Sequence, residues 1–193
     1  MTNGSHNVNV TNGNRNVAVS DRVENDFYAT PPEAVEALLK HVKFTRTILE
    51  PHVGAGHIAK VLKANGYSVV GTDIVDRGYP HTNIKDFFSF TRVRGDIVMN
   101  PPYDNAKEHV EHALDVICHG GIVCALLKIQ FLETKKRLEL FRKYPPKKIL
   151  VFSKRIYCAP NGDFSKTKSS ALCYAWFIWE KGYEGQTILD WID

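Results

Sequence analysis

The run Asn100-Pro101-Pro102-Tyr103 combines residue types that could act on a planar amine. The asparagine side-chain oxygen and the Pro101 carbonyl oxygen are hydrogen-bond acceptors, and proline rigidity fixes where the second one points. Two fixed acceptors could draw the hydrogens of an amino group out of conjugation with a ring, so that its nitrogen becomes more tetrahedral. Tyr103 could then stack on the face of that ring. The run predicts chemistry on an amine attached to a planar system.

A loop that contains two glycines lies between two acids earlier in the chain. Glu50 precedes Gly54 and Gly56, and Asp73 follows the next apolar segment. Glycines that follow a strand and open a helix are typical of nucleotide-binding loops, and a dinucleotide oxidoreductase could use the same spacing. Against that alternative, Glu50-Pro51 lies several residues before the glycines. The resulting loop is longer than a turn that holds a pyrophosphate. It also contains an acid, which would suit a cationic ligand better than an anionic one.

The elements that position these residues alternate between apolar strands and amphipathic helices. A helix is expected to open at Pro31-Pro32-Glu33 with Thr30 as its cap. Strands are expected at residues 47–50, 68–72, 96–100, 121–127, 148–152 and 171–179, and further helices at residues 55–64, 105–118 and 133–144. Such alternation predicts a doubly wound α/β sheet with both faces covered. Ligands then bind beyond the carboxyl ends of the strands, where the glycine loop and Asn100 both lie.

Four segments in order resemble the motifs of amino-group methyltransferases. The Asn100 run resembles their catalytic motif, and the loop after Glu50 resembles their S-adenosylmethionine loop. Residues 26–31 resemble the segment that packs over the methionine part of the cofactor, and residues 86–88 resemble the site of the cofactor adenine. From Asp26 to the C-terminus the chain is most similar to small, phage-type DNA adenine-N6 methyltransferases.

The resemblance implies a fold, an activity and a set of site residues. It implies a Rossmann-like sheet, mostly parallel with an antiparallel C-terminal strand, and S-adenosylmethionine-dependent methylation of the exocyclic N6 of adenine in DNA. The catalytic residues would be Asn100, Pro101, Pro102 and Tyr103. The cofactor contacts would be Tyr28, Thr30, Pro31, Glu50, Gly54, Gly56, Asp73, Ile74, Asp86 and Phe87. Asp73 would bind the ribose hydroxyls and Asp86 the adenine amine.

The substrate side is expected in the late, basic part of the chain. Lysines and arginines exceed acids between Phe141 and Ser170, which suits a polyanion such as nucleic acid. Lys154 and Arg155 are the expected phosphate contacts. Tyr157 and Phe164 are both candidates for the second aromatic clamp of a flipped base, and Tyr157 is favoured because it comes just after Lys154-Arg155. Relatives of this kind carry a long target-recognition insertion that this chain lacks, so sequence specificity should be slight or supplied by a partner.

Three alternatives remain open from the sequence. The same catalytic motif is used by enzymes that methylate adenine in RNA or a glutamine side-chain amide in a protein, and both substrates present a planar amino group. A module that binds cofactor or nucleic acid without turnover is the third. The intact Asn100 run argues against it.

Composition limits the remaining possibilities. With 193 residues and 44% hydrophobic content the chain can bury one sizeable core, so we expect one domain over residues 26–193 after a flexible, Asn-rich tail over residues 1–25. Without an apolar signal or membrane segment it should be a soluble cytoplasmic protein. The four cysteines are expected to be reduced, and no histidine spacing suggests a metal site.

Overall fold

The computed structural model describes residues 27–45, 47–165 and 172–193, which alternate between strands and helices. The helices are α1 (Pro32–His41), α2 (His57–Ala64), α3 (Ala106–Val116) and α4 (Lys135–Lys143). The strands are β1 (Tyr28–Ala29), β2 (Ile48–Glu50), β3 (Val69–Asp73), β4 (Asn83–Ile84), β5 (Asp96–Met99), β6 (Ile122–Lys128), β7 (Lys148–Phe152), β8 (Ala159–Pro160), β9 (Tyr174–Glu180) and β10 (Ile188–Ile192). The tail predicted over residues 1–25 lies outside the described residues, and so do Asp26, Lys166 and Lys168.

Eight of the strands form one sheet in the order β10-β7-β9-β6-β5-β2-β3-β4. Strand β9 runs antiparallel to both of its neighbours, β6 and β7, and every other pairing in this sheet is parallel. The predicted doubly wound α/β sheet, mostly parallel with one antiparallel strand, is confirmed. All strands except β9 therefore end at the same edge of the sheet.

Alternating side chains of the strands pack into two buried layers on opposite faces of the sheet. In β5, Ile97 and Met99 join the layer covered by α3 and α4, while Val98 joins the layer covered by α1 and α2. Successive side chains of a strand point to opposite faces, so a strand that is apolar throughout is buried on both sides. Trp176 of β9 is fully buried and donates from Nε1 to the Ala34 carbonyl oxygen at 2.8 Å, which ties α1 to the sheet.

Two details differ from the sequence-based expectation. Thr30 does not cap α1, because the residue before the helix is Pro31 and no side chain caps this end. The Thr30 hydroxyl instead accepts a hydrogen bond from Asn100. The second difference is four strands that the sequence pattern does not predict: β10 and β4 at the two edges of the large sheet, and β1 and β8, which pair with each other. No helix in the described parts of the chain is both long and apolar enough to cross a bilayer.

Candidate functional site

A cavity of about 600 Å³ opens at the sheet edge where β2, β3 and β5 end. Nine of the predicted catalytic and cofactor residues line it: Tyr28, Thr30, Glu50, Asp73, Ile74, Asp86, Phe87, Asn100 and Pro102. The predicted residues that do not line it are Pro31, Gly54, Gly56, Pro101 and Tyr103. Its volume lies within the usual range for small-molecule and cofactor sites. The cavity therefore brings together residues from segments far apart in the chain.

Asn100 is the first residue after β5, and its amide group has a defined orientation. Its Nδ2 donates to the Tyr28 carbonyl oxygen at 2.8 Å and to the Thr30 hydroxyl at 3.1 Å. Because a carbonyl oxygen can only accept, the amide nitrogen must face Tyr28. The other end of the amide, Oδ1, is buried and has no hydrogen-bond partner among the described residues. The side chain thus presents a fixed acceptor in the wall of the cavity.

Glu50 ends β2 with a carboxyl group that is almost wholly inaccessible, at 1% exposure. Its Oε2 is buried without a hydrogen-bond partner in the described part of the chain. Burial raises the pKa of the Glu50 carboxyl well above its usual value, and the nearby Asp73 carboxylate adds to the rise, while the backbone N–H of Ala59 opposes it. A cation in the cavity would favour the ionised form of this group.

Asp73 ends β3 and organises the glycine loop. Its Oδ2 accepts from the backbone N–H of Gly54 at 2.8 Å, and its Oδ1 accepts from that of Val75 at 3.1 Å. A carboxylate has room for further hydrogen bonds, so Asp73 can hold the loop and still accept from a ligand in the cavity.

Gly54 and Gly56 are required by backbone conformation and by close ring contacts. Both have positive φ, 52° and 78°. A Cβ atom at Gly54 would lie 2.4 Å from the Phe27 ring, and one at Gly56 would lie 2.0 Å from the Tyr79 ring. The two glycines therefore let the Phe27 and Tyr79 rings pack closely against the loop, although neither glycine lines the cavity.

Phenylalanine and histidine side chains form the wall of the cavity that follows β4 and includes the first turn of α3. Phe87 is buried, whereas Phe88 is 43% exposed and lines the cavity beside the exposed Asp86. His52 and His109 also line the cavity, and their ring centroids are 4.6 Å apart. The sequence predicts neither histidine as a site residue, because neither lies in a spacing typical of metal ligands and no motif assigns a role to either one. The described residues contain no group of three or more His, Cys, Asp or Glu that could hold a metal ion.

Tyr103 lies outside the cavity lining, in a cluster of aromatic side chains. Its ring stacks on Tyr28 with centroids 5.3 Å apart, the Lys128 ammonium lies 4.4 Å from its centroid, and its hydroxyl donates to the Tyr174 hydroxyl at 3.2 Å. Burial is the main cause that raises the Tyr103 pKa well above its usual value, with the Cys158 thiol next. Tyr103 is thus held by aromatic, cationic and hydrogen-bonding partners on separate parts of its side chain.

The four predicted substrate residues lie outside the cavity, in the segment after β7. Lys154 and Arg155 are exposed and Tyr157 is half-buried. Phe164 is 37% exposed and lies 5.5 Å, between centroids, from His57, which lines the cavity. Of the two candidate aromatic clamps, Phe164 is thus the one in contact with a cavity-lining side chain.

A short antiparallel ribbon connects this segment to the amide of Asn100. Tyr28 and Ala29 of β1 pair with Pro160 and Ala159 of β8. The backbone N–H of Asn161 also donates to the Phe27 carbonyl oxygen at 2.9 Å. The strand that orients Asn100 is therefore held by the segment that carries the basic residues.

No protein-family model and no curated protein matches this sequence. Solved structures do match its fold. One is a provisionally assigned RNA methyltransferase from Pyrococcus horikoshii, with a TM-score of 0.61 at 15% identity over 80% of this chain and 87% of that one. Another is a provisionally assigned class I S-adenosylmethionine-dependent methyltransferase from Listeria monocytogenes, with a TM-score of 0.59 at 14% identity over 86% of this chain and 66% of that one.

A third structure is the M protein of the type I restriction enzyme EcoKI. It matches with a TM-score of 0.60 at 14% identity, over 84% of this chain and 48% of that one. The chain thus spans about half the length of this protein. At such identities the matches show a shared fold, and the chain has the Rossmann-like fold of class I methyltransferases.

Proposed function

We propose that this chain is an S-adenosylmethionine-dependent methyltransferase that modifies the exocyclic N6 of adenine in DNA. The observation that carries the proposal is the Asn100 amide, whose nitrogen is tied to Tyr28 and Thr30 and whose buried oxygen remains an unused acceptor in the cavity wall. An acceptor fixed in this way suits an amino group that must lose its conjugation with a ring before it can react.

The residues of the cavity fit the proposed cofactor. The unpartnered Oε2 of the buried Glu50 and the carboxylate of Asp73 are acceptors suited to cationic and hydroxyl groups, and Asp86 with the exposed Phe88 ring suits an adenine with its amino group. When bound, the cofactor would supply an activated methyl group on its sulfonium. The protein would hold the reactants in line and exclude water.

In this scheme Asn100 Oδ1 and the Pro101 carbonyl oxygen accept hydrogen bonds from the two amine hydrogens. The nitrogen lone pair would thereby be released from the ring and could attack the methyl carbon, while the carbon–sulfur bond breaks and its electron pair stays on the sulfur of the departing thioether. The methylated nitrogen would then carry the positive charge and lose one of its two hydrogens to water as a proton. Flipping a base out of a duplex costs a few kcal/mol, so single-stranded DNA should be the better substrate.

Two kinds of observation support DNA as the substrate. The motifs over residues 26–103 resemble those of DNA adenine methyltransferases, and the fold is shared with the M protein of a type I restriction enzyme. The fold is equally shared with a protein described as an RNA methyltransferase, so the decisive experiment compares substrates. Purified protein is incubated with labelled cofactor and, in parallel, single-stranded DNA, duplex DNA, RNA and a protein with an exposed glutamine loop.

The expected product is N6-methyladenine in digested DNA, identified by mass spectrometry. Methylation confined to RNA or to protein would overturn the DNA assignment and leave the amino-methyltransferase assignment in place. Cofactor binding without transfer to any substrate would favour the non-catalytic module.

Replacement of Asp73 by asparagine should weaken S-adenosylmethionine binding by about 1 to 2 kcal/mol. The amide keeps one oxygen, which can accept from the Gly54 N–H or from the Val75 N–H, and it loses the negative charge and the second acceptor. Titration calorimetry measures the change. Asp76→Asn is the matched control, since Asp76 is exposed, does not line the cavity and accepts from the backbone N–H of nearby Gly78. Equal affinities for wild type and Asp73→Asn would show that Asp73 does not contribute to cofactor binding.

Combined Lys154→Ala and Arg155→Ala should weaken DNA binding and lower the slope of log K against log salt concentration by roughly 2, because two phosphates would keep their counterions. Both residues follow β7 at the same sheet edge as the cavity. Lys43→Ala with Arg94→Ala is the control, because these exposed residues precede β2 and β5 at the opposite edge. If the control pair lowered the slope and the first pair did not, the DNA groove would lie elsewhere.

A further inference from the structure

Three side chains in the cavity wall carry buried polar atoms without a hydrogen-bond partner among the described residues: Glu50, His52 and Asn100. Glu50 and Asn100 each contribute an oxygen, which can accept from a neutral amine or hydroxyl or face a cation. His52 contributes both of its ring nitrogens. A neutral imidazole has one N–H donor and one acceptor, so one His52 nitrogen can donate a hydrogen bond, whereas an ionised Glu50 carboxylate and the Asn100 oxygen can only accept.

The surroundings of His52 keep its ring neutral and in place. It packs edge-on against Phe87 with centroids 5.5 Å apart and against His109 at 4.6 Å. Burial is the main cause that lowers the His52 pKa well below its usual value, with the neighbouring His109 second. His109 is itself oriented, since its Nδ1 lies 3.0 Å from the Asn105 carbonyl oxygen and must carry the hydrogen.

We propose that His52 binds the nucleoside end of the cofactor by donating a hydrogen bond to an acceptor atom of that end, an inference that rests on the function proposed above. Buried polar groups are costly when unpaired, so both His52 nitrogens favour a ligand that pairs with them. The adjacent wall consists of the Phe87 and Phe88 rings with the Asp86 carboxylate, which matches a flat heterocycle with polar edges. The ionised Glu50 carboxylate and the Asn100 oxygen can only accept, and they suit the cationic and amine groups instead.

His52→Phe tests this assignment, because phenylalanine keeps a flat ring against Phe87 and His109 and removes both nitrogens. Two probes are used with the full-length chain. S-adenosylhomocysteine contains the nucleoside and the amino acid ends, and 5′-methylthioadenosine contains the nucleoside end only. Calorimetry should show that the variant binds both probes roughly tenfold more weakly, the loss expected for one buried hydrogen bond. Thermal unfolding checks that the variant is folded.

His119→Phe is the control. His119 is exposed, precedes β6 at the opposite edge of the sheet and does not line the cavity. It should change both affinities by less than about twofold. Equal weakening by both variants, unchanged affinities in His52→Phe, or weakening of S-adenosylhomocysteine alone would each overturn the assignment. If the wild-type protein bound neither probe, the proposed function would fail first, and the two failures are thus distinguishable.

Discussion

Asn100→Ala should lower turnover by about 10²-fold or more while cofactor affinity stays close to that of the wild type. The reason is geometric: Asn100 Oδ1 is an acceptor held in one orientation by the hydrogen bonds of Nδ2 to Tyr28 and Thr30. Alanine removes that acceptor from the reaction but leaves Glu50 and Asp73 in the cofactor cavity. Single-turnover rates with labelled cofactor measure the chemical step, and calorimetry measures binding.

Thr30→Val gives a graded comparison for the same prediction. Valine has nearly the shape of threonine but cannot accept from Nδ2, so the amide keeps only the Tyr28 carbonyl as its partner. We expect a loss of several-fold in turnover, smaller than that of Asn100→Ala. If folded Asn100→Ala protein retained full activity, the amino-methyltransferase proposal itself would be refuted, whatever the nucleic acid.

Glu50→Gln should have opposite effects on stability and on cofactor binding. The Glu50 pKa is raised in the folded protein, so the folded state holds its proton more tightly than the unfolded state does. Stability from this group is therefore present below the unfolded value of 4.5 and is lost as pH rises through the higher folded pKa. Glutamine cannot ionise, so the variant does not lose this free energy of unfolding at high pH. It should be more stable than the wild type at about pH 8 and no more stable at about pH 4.

The same variant should bind S-adenosylmethionine about 2 to 4 kcal/mol more weakly, because a buried cation loses its counter-charge. S-adenosylhomocysteine lacks the sulfonium charge and should be affected less. Denaturant unfolding at the two pH values and calorimetry with both ligands measure these effects. Equal weakening for both ligands would show that Glu50 does not face the sulfonium, and a destabilised variant at both pH values would contradict the burial argument.

The elements that place the cavity could be predicted because their signals are local. Strands β2, β5 and β7 each contain an apolar run with one charged residue at one end, and the predicted bounds agree with the structure within a residue. Strand β10 was missed because its apolar residues are not buried as a run: Ile188, Leu189 and Trp191 are 53%, 47% and 64% exposed. A short edge strand lacks the pattern on which such a prediction depends.

The parts of the candidate site that the sequence does not predict depend on contacts between distant segments. Thr30 looks like a helix cap when only its neighbours are considered, yet its hydroxyl bonds to Asn100, 70 residues away. His52 and His109 come from the end of β2 and the start of α3, and neither position predicts that their rings meet. Residue types could be read from the motifs, but the orientation of the Asn100 amide and the stacking of Tyr103 on Tyr28 could not.

The position of β9 has a consequence for how the chain folds during synthesis. This strand lies between β6 and β7 and pairs with both, although it follows both in the chain. Strand β7 therefore has no sheet neighbour among the described strands until β9 and β10 have left the ribosome. The half formed by β2 to β6 can assemble early, while the other half waits for these two later strands. Long-range pairing of this kind slows folding, so we expect the apolar edge of β6 to be exposed in the nascent protein until β9 has been made.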